Sequence, residues 1–153
     1  MSDNQFIQQA ISLAIDNVKT GGRPFGAVIV SNGKVIATGV NQLVEDNDPT
    51  AHAELLALRH AGKTLGRVKL DDCIVYASGQ PCPMCLAAMR MSGVKRIVYA
   101  YSNDDAQPYG LSTAQIAEEL RKEPENQEGL EYIQLKPDEE DQLSPYEFWS
   151  QQS

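Results

Sequence analysis

Phe25-Gly26-Ala27-Val28-Ile29-Val30 and Lys34-Val35-Ile36-Ala37-Thr38-Gly39-Val40, joined by Ser31-Asn32-Gly33, decide the fold. Both runs are rich in strand-forming residues, and Asn-Gly between two such runs is a strong hairpin signal. Upstream, Phe6, Ile7, Ala10, Ile11, Ala14, Ile15 and Val18 recur every three or four residues. That spacing predicts an amphipathic helix over residues 3–20, ended by Gly21 and Gly22. Downstream, residues 41–50 form a polar loop, and Thr50 is placed to cap a helix over about 51–61 that stops at Gly62. A strand over 73–77, a turn, a helix over 82–91 and a strand over 95–101 follow. A loop over 102–110, a helix over 113–122, a polar linker and a strand over 130–135 complete the pattern. An acidic stretch over 138–141 and a short aromatic tail over 145–149 close it. Strands that alternate with helices predict parallel pairing with helices on both faces of the sheet. The expectation is one α/β domain over residues 1–153: a three-layer α/β/α sandwich around a mixed, mostly parallel five-stranded sheet, with 137–153 as a C-terminal tail.

The composition fits such a domain. Of 153 residues, 42% are hydrophobic and 22% charged, which excludes collagen-like, disordered and disulfide-scaffold chains. There is no internal repeat, and no apolar run approaches the roughly 18 residues of a membrane span. The start, MSDNQFIQQA, lacks the basic and apolar regions of a secretory signal. Three cysteines, two of them in Pro81-Cys82-Pro83-Met84-Cys85, therefore point to metal or redox chemistry in a reducing cytoplasm. The 13 basic against 21 acidic residues give a net charge of -8. Such a surface repels a polyanion despite the basic cluster of Arg90, Lys95 and Arg96, and favours a small neutral substrate.

His52, Cys82 and Cys85 are the candidate metal ligands. His52 lies in the first turn of one predicted helix and the cysteines in the first turn of the next, where i,i+3 spacing puts both sulfurs on one face. Helix N-termini favour thiolates. One imidazole and two thiolates suit Zn²⁺, and three protein ligands leave a fourth position for water, the arrangement of a catalytic site. Glu54, two residues after His52, is placed to collect a proton from that water and deliver it elsewhere. A lone Cys-x-x-Cys also fits a dithiol redox protein, but that leaves His52 and Glu54 without a role. A silent zinc-binding interaction module is the second non-enzymatic alternative, which the presence of Glu54 argues against. Gly62-Lys63-Thr64 is no phosphate loop, because Ala57 stands where a glycine is needed. Cys73, Met84, Met89 and Met91 fit packing, and His60 a place near a helix end.

His-x-Glu followed by Pro-Cys-x-x-Cys is the zinc nucleobase deaminase pattern. On Thr50-Ala51-His52-Ala53-Glu54 and Pro81-Cys82-Pro83-Met84-Cys85 the chain is identified as a member of the cytidine-deaminase-like superfamily. Pro24-Phe25-Gly26-Ala27-Val28-Ile29-Val30, Asn47-Asp48-Pro49, Leu70-Asp71-Asp72-Cys73-Ile74 and Leu143-Ser144-Pro145 resemble bacterial guanine deaminases within it. The resemblance implies hydrolysis of guanine to xanthine and ammonia with one Zn²⁺ per chain. Guanosine, cytosine, cytidine and a tRNA adenosine are the alternative substrates. It implies that Asn41 hydrogen-bonds the base, Phe25 packs on its face, and the backbone at Ala53 and Pro81 lines the pocket. It also implies a homodimer exchanging its tails, with Phe148 and Trp149 as a lid over the partner's site. The alternative is that both residues cover their own subunit's core. Three positions depart from the pattern. Guanine deaminases of this type carry an Asp pair where this chain has Ser112-Thr113. An aromatic residue is replaced by Met91, and Gln80 stands where many relatives have Glu.

Overall fold

The computed structural model describes residues 2–137 and 143–152. The acidic stretch 138–141 lies outside them. Contacts divide the chain into two units, Met1–Arg121 and Lys122–Ser153.

The first unit opens with helix α1, Asp3–Lys19. Its N-terminus is closed by a capping box, in which Ser2 accepts from the Gln5 amide and the Gln5 side chain accepts in return from the Ser2 amide. The apolar stripe read from the sequence buries Phe6, Ala10 and Ala14. Strands β1, Gly26–Ser31, and β2, Lys34–Val40, form the expected hairpin. Helix α2, Ala53–Leu65, strand β3, Cys73–Gly79, helix α3, Pro83–Met91, and strand β4, Arg96–Tyr101, follow. Residues 102–110, expected as a loop, contain the short helix α4, Asn103–Ala106, and a 3-10 turn, Gln107–Tyr109. Helix α5, Ala114–Glu119, is shorter than its predicted span.

The strand order is β2-β1-β3-β4. β1 is antiparallel to both neighbours, and β3 and β4 are parallel. β2, β3 and β4 therefore share one direction and only β1 opposes them. The sheet is mixed, as expected, but among the described residues it has four strands and not five, and two of its three pairings are antiparallel where mostly parallel pairing was expected. Leu130–Leu135, predicted as the fifth, has no strand partner among the described residues. Its Tyr132, Ile133 and Leu135 are exposed. β-forming residues make a strand only where a neighbour supplies the ladder.

Alternation along the strands sorts the core onto two faces. Val28, Val30 and Tyr76 pack with Phe6 and Ala10 of α1. Ala27, Ile29 and Val75 pack with Ala53, Ala57, Cys85 and Met89 of α2 and α3. At Gly39 a Cβ would come within 2.7 Å of the Ala57 amide nitrogen, so the absent side chain is what lets α2 lie close on β2. This topology places the site. α2 and α3 both begin beyond the carboxyl ends of β2 and β3, where ligands bind in open α/β sheets. The antiparallel β1 brings its own start, Phe25, to the same end.

The second unit contains a 3-10 turn, Pro124–Asn126, and helix α6, Pro145–Ser150, closed by a Ser144–Glu147 capping box. The side chains of Tyr146, Phe148 and Trp149 on α6 are exposed.

Candidate active site

α2 starts two residues later than its sequence signal. Thr50 does not cap it, because its amide and hydroxyl both donate to the Asp48 carboxylate, at 2.8 and 2.7 Å. His52 takes the N-cap position, with extended backbone and no capping hydrogen bond from its side chain. The helix also runs through Gly62 and stops at Gly66, which adopts the left-handed conformation. Cys82 is likewise the N-cap of α3 and caps nothing, with Pro83 following at the first helical position. Both residues thus stand just ahead of their helices, free to turn towards each other.

They converge with Cys85. The His52 Nδ1 lies 3.3 Å from the Cys82 sulfur and 3.6 Å from the Cys85 sulfur. The three donor atoms lie within 4.8 Å of one another. Zinc bonds of about 2.3 Å to sulfur and about 2.0 Å to nitrogen, at a tetrahedral angle, separate sulfur from nitrogen by about 3.5 Å. The donor set and its spacing fit Zn²⁺. Cys85 is fully buried and Cys82 nearly so. A hydrogen bond from the Cys85 thiol, with the neighbouring His52, pulls the Cys82 thiol down to about 4, and Cys85 is pushed up in turn. The bond to Cys82 raises His52. The cluster is thus disposed to hold a thiolate.

Glu54 is 7% exposed, and burial raises its pKa. An upward shift is the direction in which a carboxyl becomes a better proton carrier for general acid–base work. Glu54 shares a cavity of about 260 Å³ with His52, Cys82, Phe25, Asn41 and Ala53. That volume lies just under the roughly 300–1,000 Å³ of drug-sized ligand pockets and suits a single ring system. Pro81 is not on the cavity wall, and Cys85 sits behind it.

Asn41 is buried at 4% exposure. Its Oδ1 accepts from the Leu43 amide at 3.1 Å, which leaves its NH₂ as the end offered to the cavity. Ser112 and Thr113 lie on the wall, so the stretch that lacks the expected acids does face the site. Asp105 does not replace them, since its carboxylate accepts from the Ser102 amide and hydroxyl in a capping box. Glu54 is the single carboxylate on the wall among the described residues. Sequence reasoning missed Arg23 as a wall residue. Its position two residues before Phe25 was the available signal. A second, apolar hollow of about 460 Å³, lined among others by Ile11, Ile15, Val18 and Tyr109, shares Phe25, Gln80 and Leu111 with the cavity.

Comparison with known proteins agrees with this geometry. Residues 1–101 match the cytidine and deoxycytidylate deaminase zinc-binding region. The chain is 43% identical to the guanine deaminase of Bacillus subtilis over 150 residues, 97% of this chain and 94% of that one. The crystal structure of a Bacillus subtilis guanine deaminase superposes with a TM-score of 0.91 at 42% identity, covering 100% of this chain and 96% of the other. A tRNA-specific adenosine deaminase of Buchnera aphidicola is 38% identical over 103 residues, 67% of this chain and 68% of that one.

Proposed function

This chain belongs to the cytidine and deoxycytidylate deaminase zinc-binding family, and from that premise we propose that it hydrolyses guanine to xanthine and ammonia. One observation carries the substrate. The similarity to guanine deaminase runs over 97% of the chain, while that to a tRNA adenosine deaminase covers 67%. The small cavity and the net charge of -8 favour a free base over an RNA stem-loop.

His52, Cys82 and Cys85 would hold Zn²⁺, which would supply Lewis acidity and lower the pKa of the attacking water towards about 7. Glu54 moves the protons. Its carboxylate takes one from the attacking water as the oxygen adds to the carbon that bears the amino group. It delivers that proton to the adjacent ring nitrogen, then takes the remaining proton of the added hydroxyl and passes it to the amino group, so that the C–N bond breaks, ammonia leaves and the carbonyl of the product forms. Burial raises the pKa of Glu54 above that of a free carboxylate, the direction that favours carrying a proton. The Asn41 NH₂ donates to an acceptor on the ring, and the half-buried Phe25 packs on its face. The backbone at Ala53 lines the pocket beside Glu54. Glu54 performs every transfer, because no second carboxylate lines the wall among the described residues.

We further propose a homodimer in which the 137–153 tails are exchanged. Tyr146, Phe148 and Trp149 present an exposed aromatic surface on α6, as an element destined for another subunit would.

The test is ammonia release by zinc-loaded protein over guanine, guanosine, cytosine, cytidine, adenine and adenosine, with Glu54→Ala as control. Turnover of guanine, lost in the control, is the expected result. Turnover of a different ring keeps the mechanism and overturns the substrate. Turnover by Glu54→Ala within tenfold of wild type overturns the mechanism. Sedimentation of the full chain against one ending at residue 136 tests the tail, which predicts a dimer and a monomer respectively.

A further inference from the structure

We propose that Arg23 selects the purine by donating a pair of hydrogen bonds to the O6 and N7 acceptors of guanine, on the edge across the ring from the reacting amino group. This rests on the assignment of guanine as substrate.

Arg23 stands in the loop between α1 and β1 and forms part of the wall that also carries Phe25, Asn41 and Glu54. Arg67 and Arg96 are engaged by Asp72 and Asp3. Arg23 enters no ion pair among the described residues, and the hydrogen bonds at this residue use only its carbonyl. Its guanidinium, with five donors in a planar fork, is therefore uncommitted.

The loop is built to hold it. The Asn17 Nδ2 donates to the Arg23 carbonyl at 2.8 Å and to the Asn41 carbonyl at 2.9 Å. A single carboxamide on α1 thus ties together the two donor residues of the wall. The Gly22 amide donates back to the Asn17 carbonyl at 2.8 Å. A Cβ on Gly22 would lie 2.5 Å from that same Asn17 Nδ2, so a glycine is required for the bridge to form. The Asn41 amide donates to the Phe25 carbonyl at 3.2 Å, which fixes the aromatic ring's backbone in the same frame.

The donor count then sets the ligand. Asn41 offers NH₂ and Arg23 offers N–H groups only, so these two residues present donors without an acceptor. Guanine carries O6 and N7 side by side, the pattern that an arginine fork matches in two parallel bonds. Adenine places an amino group where O6 would be, and two facing donors reject it. The net charge of -8 does not provide this selection, because these bases are neutral at pH 7.

The test compares kcat and KM for guanine, 2-aminopurine (which lacks O6) and 7-deazaguanine (which lacks N7). The zinc-loaded full chain is used as wild type, Arg23→Met and Arg23→Lys, with zinc content and unfolding midpoint measured for each. A lost charged, paired hydrogen bond should raise the KM of Arg23→Met for guanine roughly 10- to 100-fold. The loss for 2-aminopurine should be far smaller, so the preference for guanine over 2-aminopurine collapses. Arg23→Lys, which keeps the charge and loses the fork, should restore that preference only in part. Equal losses on all three substrates, or no loss, from folded and zinc-replete Arg23→Met would overturn the role of Arg23 and leave guanine as substrate. A wild-type protein inert towards guanine but active on another ring would overturn the substrate and the assigned edge together.

Discussion

The helices that carry the site and the helices that hold the scaffold begin differently. α1, α4 and α6 each open with a serine in a capping box, at Ser2, Ser102 and Ser144. α2 and α3 open with His52 and Cys82, neither of which caps its helix. A serine cap is worth about 0.5–2 kcal/mol over a non-capping residue. The two site helices forgo that stabilisation so that their N-cap side chains can turn outward as metal ligands. Function occupies the position that stability would otherwise fill.

Five measurements break or sharpen that contrast. The largest effect belongs to Glu54, in the first turn of α2. Glu54→Gln keeps the shape and removes the proton carrier, so kcat should fall about 10²- to 10⁴-fold. Zinc should stay at one per chain by metal analysis. A variant that loses its zinc would show that the carboxylate supports the metal and does not act on the substrate alone.

Removal of the metal comes next. With free zinc at 100 to 1,000 times its Kd, binding stabilises the fold by about 3–4 kcal/mol. A chelator should lower the unfolding midpoint of wild type accordingly and leave His52→Ser untouched. Smaller again is the exchange of roles at the N-cap itself. His52→Ser gives α2 the cap it lacks. The metal-free variant should therefore be more stable than metal-free wild type by about 0.5–2 kcal/mol in urea unfolding, with deamination abolished. Ser2→Ala is the opposite experiment. It should cost a similar amount of stability on α1 and leave kcat intact. A His52→Ser variant that is no more stable would mean that the uncapped helix starts carry no penalty.

The same contrast explains what the sequence made legible. Ser31-Asn32-Gly33 announced the hairpin because Asn32 and Gly33 both need positive φ, which they adopt at 51° and 76°. His52, Glu54, Cys82 and Cys85 were legible because their chemistry is rare at that spacing. The start of α2 was not. Thr50 reads as a cap by type, but Asp48 engages both its amide and its hydroxyl, and that competition is a matter of loop geometry. Gly62 reads as a stop, yet a glycine inside a helix costs only about 1 kcal/mol and packing outweighs it. The supposed strand at 130–135 failed because strand formation depends on a neighbour that local pattern does not reveal. The insertion of β1 between β2 and β3 is long-range in the same sense. Arg23 belongs to no motif; its nearness to Phe25 hints at the site, and its place on the cavity wall marks it.

The smallest effect lies at the scaffold end of α1. Asp3, in the first turn, receives the Arg96 guanidinium and the Tyr76 hydroxyl, and these bonds hold its carboxyl down at about 2 against an ordinary 3.8. A depressed acid contributes stability that is present above its unfolded pKa and lost as pH falls through the folded one. The contribution of Asp3 should therefore be constant from neutral pH down to about 4 and vanish near 2. The group is solvent-exposed, so the effect is small and weakens in salt. Urea midpoints of Asp3→Asn and wild type should differ at pH 7, converge below pH 4, and draw together in high salt at any pH. A difference that persisted at pH 2 would place the role of Asp3 in α1 packing and not in its charge. Activity should follow neither curve, because Asp3 anchors α1 through Arg96 on β4 and Tyr76 on β3, and the cavity wall includes none of these residues.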